Sequence, residues 1–274
     1  MNDTRMSFVQ HLGELRRRLI SCTVATLLGM IVAYCVYDPW ILDALRGPLD
    51  SVAGRMENPF AVDSPLLGII RDSSAATREL NLDLHFIGPM EGFMVKLKAA
   101  FFGGLVLASP FIFCQIWAFL SCGLTGKERK AVRIFLPLSL VLFAGGLLIA
   151  YFIMLPIILY FLVIVTGKSL VPMLILSKYV SLVVMCCLAF GIIFEMPLVI
   201  YFLARLGLVS PEFLVRNRKY AILLMFIVAA MLTPPDIITQ IMMGLPMMIL
   251  YEASIWVSKG AWARRQKALA ERET

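Results

Sequence analysis

Histidine is almost absent from this chain, with two in 274 residues, His11 and His85. Both lie outside the long apolar stretches, so a Ser-His dyad within a membrane has no base. The sequence also has no HExxH, no GxxxxGK[ST] and no GxGxxG, the patterns of a zinc helix, a phosphate-binding loop and a dinucleotide turn. Catalysis is not expected, and neither is a cofactor. Charge is scarce too: 16% of residues are charged against 60% hydrophobic, too little polar surface to cover a soluble globule of this size. The six cysteines (Cys22, Cys35, Cys114, Cys122, Cys186, Cys187) fall within or beside apolar runs. Disulfides and CxxC-type metal sites are therefore not expected.

What the chain has in abundance is uncharged length. Leu19 to Tyr37, Ala99 to Gly126, Ile134 to Gly167, Tyr179 past Glu195 to Ala204, Tyr220 to Pro235, and Ile237 past Glu252 read as six membrane helices, each near or beyond what crosses ~30 Å of hydrocarbon. The first run exceeds a signal-peptide core and ends in Tyr37-Asp38-Pro39, so it reads as an uncleaved anchor. With six spans both termini share a side. That side receives 17 Lys and Arg and the other 8, which places the termini in the cytoplasm. The net charge of +7 then reflects topology and anionic lipid headgroups, and no nucleic acid is implied. The fold class is all-α, a single polytopic domain over residues 1–274. It has an amphipathic cytoplasmic N-terminus (1–18), an external loop (38–91) and a cytoplasmic tail (259–274).

Within that plan Phe8, Leu12, Leu15 and Leu19 recur at helical spacing ahead of the first span, predicting an amphipathic helix along the cytoplasmic interface. The second and third spans, about Phe93 to Cys122 and Ile134 to Val165, each exceed ~45 Å as helices and must tilt, kink or protrude, with Pro110, Pro137 and Pro156 as plausible bends. The fifth and sixth are short, about 22 Å each. Joined through Thr233-Pro234-Pro235-Asp236, they form a hairpin that thins the bilayer beside it.

Glu195 stands in Phe190-Gly191-Ile192-Ile193-Phe194-Glu195-Met196-Pro197, about 25 Å along the helix from Lys178 and about 15 Å from Arg205. A carboxyl inside the hydrocarbon is a functional candidate by default, although a hydrogen-bonded structural role fits the same position. Two further acids lie near the cytoplasmic half. Glu14 can simply pair with Arg18 at i,i+4, and Glu128 can close a capping box with Thr125 at the start of the third span. A proton-coupled secondary transporter relaying through Glu195 and Glu252 is the rival reading. An internal repeat, which would favour it, is not evident.

Taken in order, His11-Leu12-Gly13-Glu14-Leu15-Arg16-Arg17, Ser109-Pro110, Gln115-Ile116-Trp117-Ala118-Phe119, Lys127-Glu128-Arg129, Phe190-Gly191 to Glu195-Met196-Pro197, and Leu232-Thr233-Pro234-Pro235-Asp236 strongly resemble TatC, the core subunit of the twin-arginine protein translocase. The likeness spans Ser7 to about Lys259. It implies a receptor in the bacterial cytoplasmic (inner) membrane for the twin-arginine signal peptides of folded proteins. It also implies assembly into an oligomer with TatA and TatB, or one TatA-like protein serving both roles, and export driven by the proton potential. By the same resemblance Glu14, Arg16, Phe119 and Glu128 belong to signal-peptide binding, and Glu195 is the polar residue of a membrane concavity. Thr233 and Gln240 match a partner-binding face, while Pro48, Pro110, Pro197, Pro234, Pro235 and Asp236, with Glu91 and Lys98, match positions of mainly structural weight. Two departures are visible. Cys122 stands where that family usually has proline, and the first external loop is longer, with extra sequence around Asp50 to Leu80.

Overall fold

The uncharged runs fold as helices, and several of them overrun the apolar stretch that drives them. The computed structural model describes residues 8–36, 41, 43–49, 84–85, 88–122, 126–166, 174–232 and 237–273. The external loop over 50–83, the residues Thr233, Pro234, Pro235 and Asp236, and the expected cap Thr125 lie outside them. Helix α1 (Phe8–Cys35) is continuous over 28 residues, so the amphipathic N-terminal segment and the first span are one rod rather than an interfacial helix followed by a span. Between Leu12 and Leu19 only Gly13 is a poor helix former, and the arginines and leucines around it carry the helix through. A short helix α2 covers residues 43–49.

Helix α3 (Pro89–Cys122) contains Pro110 in its interior. Proline removes the N–H that the carbonyl of Val106 would accept. The Ser109 hydroxyl takes its place, donating to that carbonyl at 2.7 Å, so the Ser-Pro pair carries its own repair.

The third span is α4 (Gly126–Ile149), a π-helical turn (Ala150–Met154) and α5 (Leu155–Thr166). The π turn lies directly ahead of Pro156, whose ring and missing N–H forbid the regular bond to the fourth residue before it. The Leu155 N–H reaches back to the Ala150 carbonyl instead. Of the three prolines expected to bend these spans, this is the one ahead of which the α-helix gives way to a π turn.

The fourth span is α6 (Leu176–Phe194) and α7 (Met196–Leu206), jointed at Glu195. Helix α8 (Pro211–Arg216) follows in the cytoplasmic loop, then α9 (Arg218–Leu232) and α10 (Ile237–Glu273). Five of these helical stretches are long and apolar enough to cross a membrane. The sixth, α9, has 15 residues, about 22 Å, the short span that the uncharged run implied. Helix α10 differs from expectation: it runs for 37 residues, about 55 Å, because nothing after its apolar part breaks the helix. The cytoplasmic tail is its extension.

Two short strands also form. Leu84–His85 (β1) pairs in parallel with Leu174–Ile175 (β2), tying the end of the external loop to the segment that enters α6. Two residues are too few to leave an alternating pattern in the sequence.

The main core lies between α3, α4, α5 and α6, around Phe190, Val180, Val183, Leu155 and Ile158, all nearly or fully buried. Backbones approach closely where glycine permits. A Cβ on Gly29 of α1 would sit 2.6 Å from the Gly104 carbonyl of α3, and one on Gly146 of α4 would sit 2.6 Å from the Phe190 carbonyl of α6. Small residues at such crossings let membrane helices gain dispersion energy without a hydrophobic drive. Facing outward are Leu27, Leu28, Ile31, Met231, Ile237 and Ile249, all apolar and all more than half exposed. An apolar outer surface around a satisfied helical backbone is what a bilayer solvates.

Candidate functional site

The cytoplasmic edge is organised by a guanidinium. Arg18 Nε donates to Glu14 Oε1 at 3.0 Å, and Nη2 donates to the same oxygen. Its Nη1 donates across to α3, to Gln115 Oε1 at 2.9 Å and the Gln115 carbonyl at 3.4 Å. The i,i+4 pair expected from spacing is thus present, but it is also a clamp between two helices. Because Gln115 and Phe119 are four apart on α3, they share a face, and the clamp brings Glu14 and the half-buried Phe119 to the same end of the α1–α3 pair. Arg16 is on the exposed side of α1 and takes no part in the clamp. Glu128 is the third residue of α4, at the cytoplasmic start of the helix that follows α3. Its side chain lies outside the described residues.

Deeper in the bundle, Glu195 is the joint of the fourth span. Its N–H bonds to the Ile192 carbonyl at 3.1 Å, and its own carbonyl accepts from Leu198 and Val199 at 3.1 and 3.0 Å. Pro197, at the second position of α7, needs no donor there and suits a helix start. The carboxyl points into the bundle, 9% exposed. Beside it stands the Ser139 hydroxyl of α4, which accepts the Trp117 indole N–H of α3 at 2.7 Å. With one lone pair taken by the indole, the Ser139 proton remains available to the carboxyl beside it. The other oxygen, Oε1, is buried with no hydrogen-bond partner among the described residues. Such a group costs free energy comparable to a lost hydrogen bond.

Aromatic rings hold this chain in place. Trp117 lies 5.1 Å from Phe135 and edge-on at 5.3 Å to Phe202, with Leu198 completing the buried cluster. Three helices therefore converge on one carboxyl through side chains whose rotamers the packing sets.

On the opposite side, Glu91 Oε1 accepts the Ser177 N–H in the first turn of α6 at 3.1 Å, where an acid complements the helix dipole. Lys98 Nζ donates to Ser181 Oγ at 3.0 Å. The buried Pro48 belongs to α2, which is docked by two tyrosines: Tyr179 donates to the Leu45 carbonyl at 2.7 Å, and Tyr151 to that of Ala44. In the last hairpin, Gln240 Nε2 donates to the Phe226 carbonyl at 3.0 Å, so it bridges α10 to α9. Glu252 is ion-paired with Arg218 at 2.8 Å, both half-exposed. That pair engages its carboxylate with the first residue of α9.

Gln115, Trp117 and Ser139 carry these networks, and residue-by-residue reading assigned none of them a role. A lone hydroxyl or amide in an apolar run was the available signal. Which carboxyl or indole it would meet depends on another helix.

A family model described as "Sec-independent protein translocase protein (TatC)" matches residues 10–246. The TatC protein of Carboxydothermus hydrogenoformans is 38% identical over 260 residues, covering 94% of this chain and 95% of that one. TatCy of Bacillus subtilis is 32% identical over 271 residues, 98% and 95% of the two chains. A crystal structure of the twin arginine translocase receptor TatC superposes with a TM-score of 0.76 at 34% identity, covering 92% of this chain and 99% of that chain.

Proposed function

Since the chain belongs to the TatC family of Sec-independent protein translocase components, a multi-pass protein of the bacterial inner membrane, we propose that its cytoplasmic edge reads paired arginines through Glu14 and Glu128. The observation that supports this most directly is the clamp at Arg18. Glu14 already accepts a guanidinium through two N–H groups, at the cytoplasmic end of α3 where Phe119 offers an aromatic neighbour. A guanidinium fork pairs with carboxylates in a geometry that an ammonium cannot copy. An incoming arginine would exchange with or extend the Arg18 contact, and Gln115 would hold Arg18 against α3 meanwhile. Arg16, exposed on the same helix, would meet acidic or phosphate groups around the bound peptide.

The apolar part of the signal peptide would then lie along α3 and α4 toward Glu195, whose unpartnered Oε1 can accept a hydrogen bond from an entering segment. TatA and TatB, or one TatA-like protein, would gather at the short α9 and the start of α10. Thr233 and Gln240 are the polar positions proposed for that contact. The comparisons do not favour the secondary transporter, and Glu252 is held by Arg218.

The test is photo-cross-linking of a twin-arginine signal peptide to the purified protein. Each charge-assisted bond is worth about 1.5–3 kcal/mol, so replacing Arg-Arg by Lys-Lys, or Glu14 and Glu128 by Gln, should reduce labelling by tenfold or more. Equal labelling by both peptides would remove the carboxylates from recognition.

A further inference from the structure

Below the apolar part of α10, its helical extension and the short α8 frame an open cavity of about 540 Å³ lined by Glu212, Val215, Arg216, Lys259 and Trp262, among others. We propose that this cavity binds the phosphodiester headgroup of an anionic phospholipid, of the phosphatidylglycerol kind. Its cations are two, Arg216 and Lys259, both exposed and neither ion-paired among the described residues. With the Glu212 carboxylate the lining sums to one positive charge, which matches the single negative charge of a phosphodiester.

The position relative to the bilayer supports a lipid. Trp256 is 77% exposed and stands three residues before Lys259, on the same face of α10. An indole one turn above a lysine is the order found at a membrane interface, with the ring among the upper headgroup atoms and the cation at the phosphates. Leu208, just ahead of α8, and Phe213 within it are 71% and 59% exposed, apolar surface that acyl chains would cover.

The cavity wall is preorganised. Gly207 ends α7 in the left-handed conformation, with φ 78°, and the Arg265 guanidinium lies where its Cβ would be. Arg265 also stacks on Trp262 at 5.5 Å. One arginine thus fixes the α10 extension to the end of α7, where its charge complements the helix C-terminus, and holds the indole of the cavity in place.

The full chain, purified in a non-ionic detergent, can be titrated separately with phosphatidylglycerol, phosphatidylethanolamine and inorganic phosphate, with bound copies counted by native mass spectrometry. The first phosphatidylglycerol should bind most tightly, and the double variant Arg216→Gln, Lys259→Gln should weaken it roughly 25-fold, the surface attraction of two cations. Glu212→Gln should tighten it, a change of opposite sign that a folding defect cannot imitate. Unchanged affinity in the double variant would overturn the site. Equal affinity for phosphatidylethanolamine would overturn the charge match, and phosphate binding as tight as the lipid would make it a free-anion site.

Discussion

Replacing Ser139 by alanine should uncouple Trp117 from Glu195. In the native chain one hydroxyl stands between the two, accepting the indole N–H at 2.7 Å with its proton available to the adjacent carboxyl, in a place with no solvent exposure. Removing it leaves a buried N–H and a carboxyl oxygen without partners. Buried unsatisfied groups cost about 1–3 kcal/mol in soluble cores, whereas polar contacts in membrane bundles average ~0.6 and reach ~1.7 kcal/mol. The expected loss for Ser139→Ala is therefore about 1–3 kcal/mol. Trp117→Phe keeps a ring against Phe135 and Phe202 but deletes the donor. Its cost should be smaller in the Ser139→Ala background, by a coupling of about 0.6–1.7 kcal/mol. Reversible unfolding in mixed detergent micelles, followed by circular dichroism for both singles and the double, measures that coupling. Additivity within ~0.3–0.5 kcal/mol, the scatter for independent sites, would refute the shared hydroxyl.

Three further outcomes follow from close contacts. Gly29→Val should destabilise by about 1–3 kcal/mol through overpacking, since even a Cβ would meet the Gly104 carbonyl at 2.6 Å; a lowered midpoint of thermal unfolding in detergent checks it. Gly207→Ala should cost about 1–2 kcal/mol for the left-handed backbone alone and expel Arg265, read as faster tryptic cleavage at Arg264 and Arg265. Tyr179→Phe removes the bond to the Leu45 carbonyl, costing about 0.5–1.5 kcal/mol, and should speed tryptic cleavage after Arg46 on the exposed side of α2.

The spans were legible because uncharged length is a one-dimensional property. Even the shortness of α9 could be counted from Tyr220 to the proline pair. Breaks inside the helices were half legible. Pro110 signalled a bend, but the neighbouring serine that answers it, and the π turn that absorbs Pro156, depend on which carbonyl is left over after folding. The tail was read as a polar end, although α10 continues to Glu273, since charged residues of good helix propensity extend a helix as readily as they end a membrane span.

The sequence by itself determined the membrane class, the six spans, the side of each loop and the family, all of which reside in composition, charge order and short motifs along the chain. Only the tertiary structure decided which groups meet: Arg18 with Gln115, Ser139 between Trp117 and Glu195, Arg265 over Gly207. These partners lie on helices separated in sequence, and a hydrogen bond is selected by the few tenths of an ångström at which those helices pack, a quantity no single segment encodes.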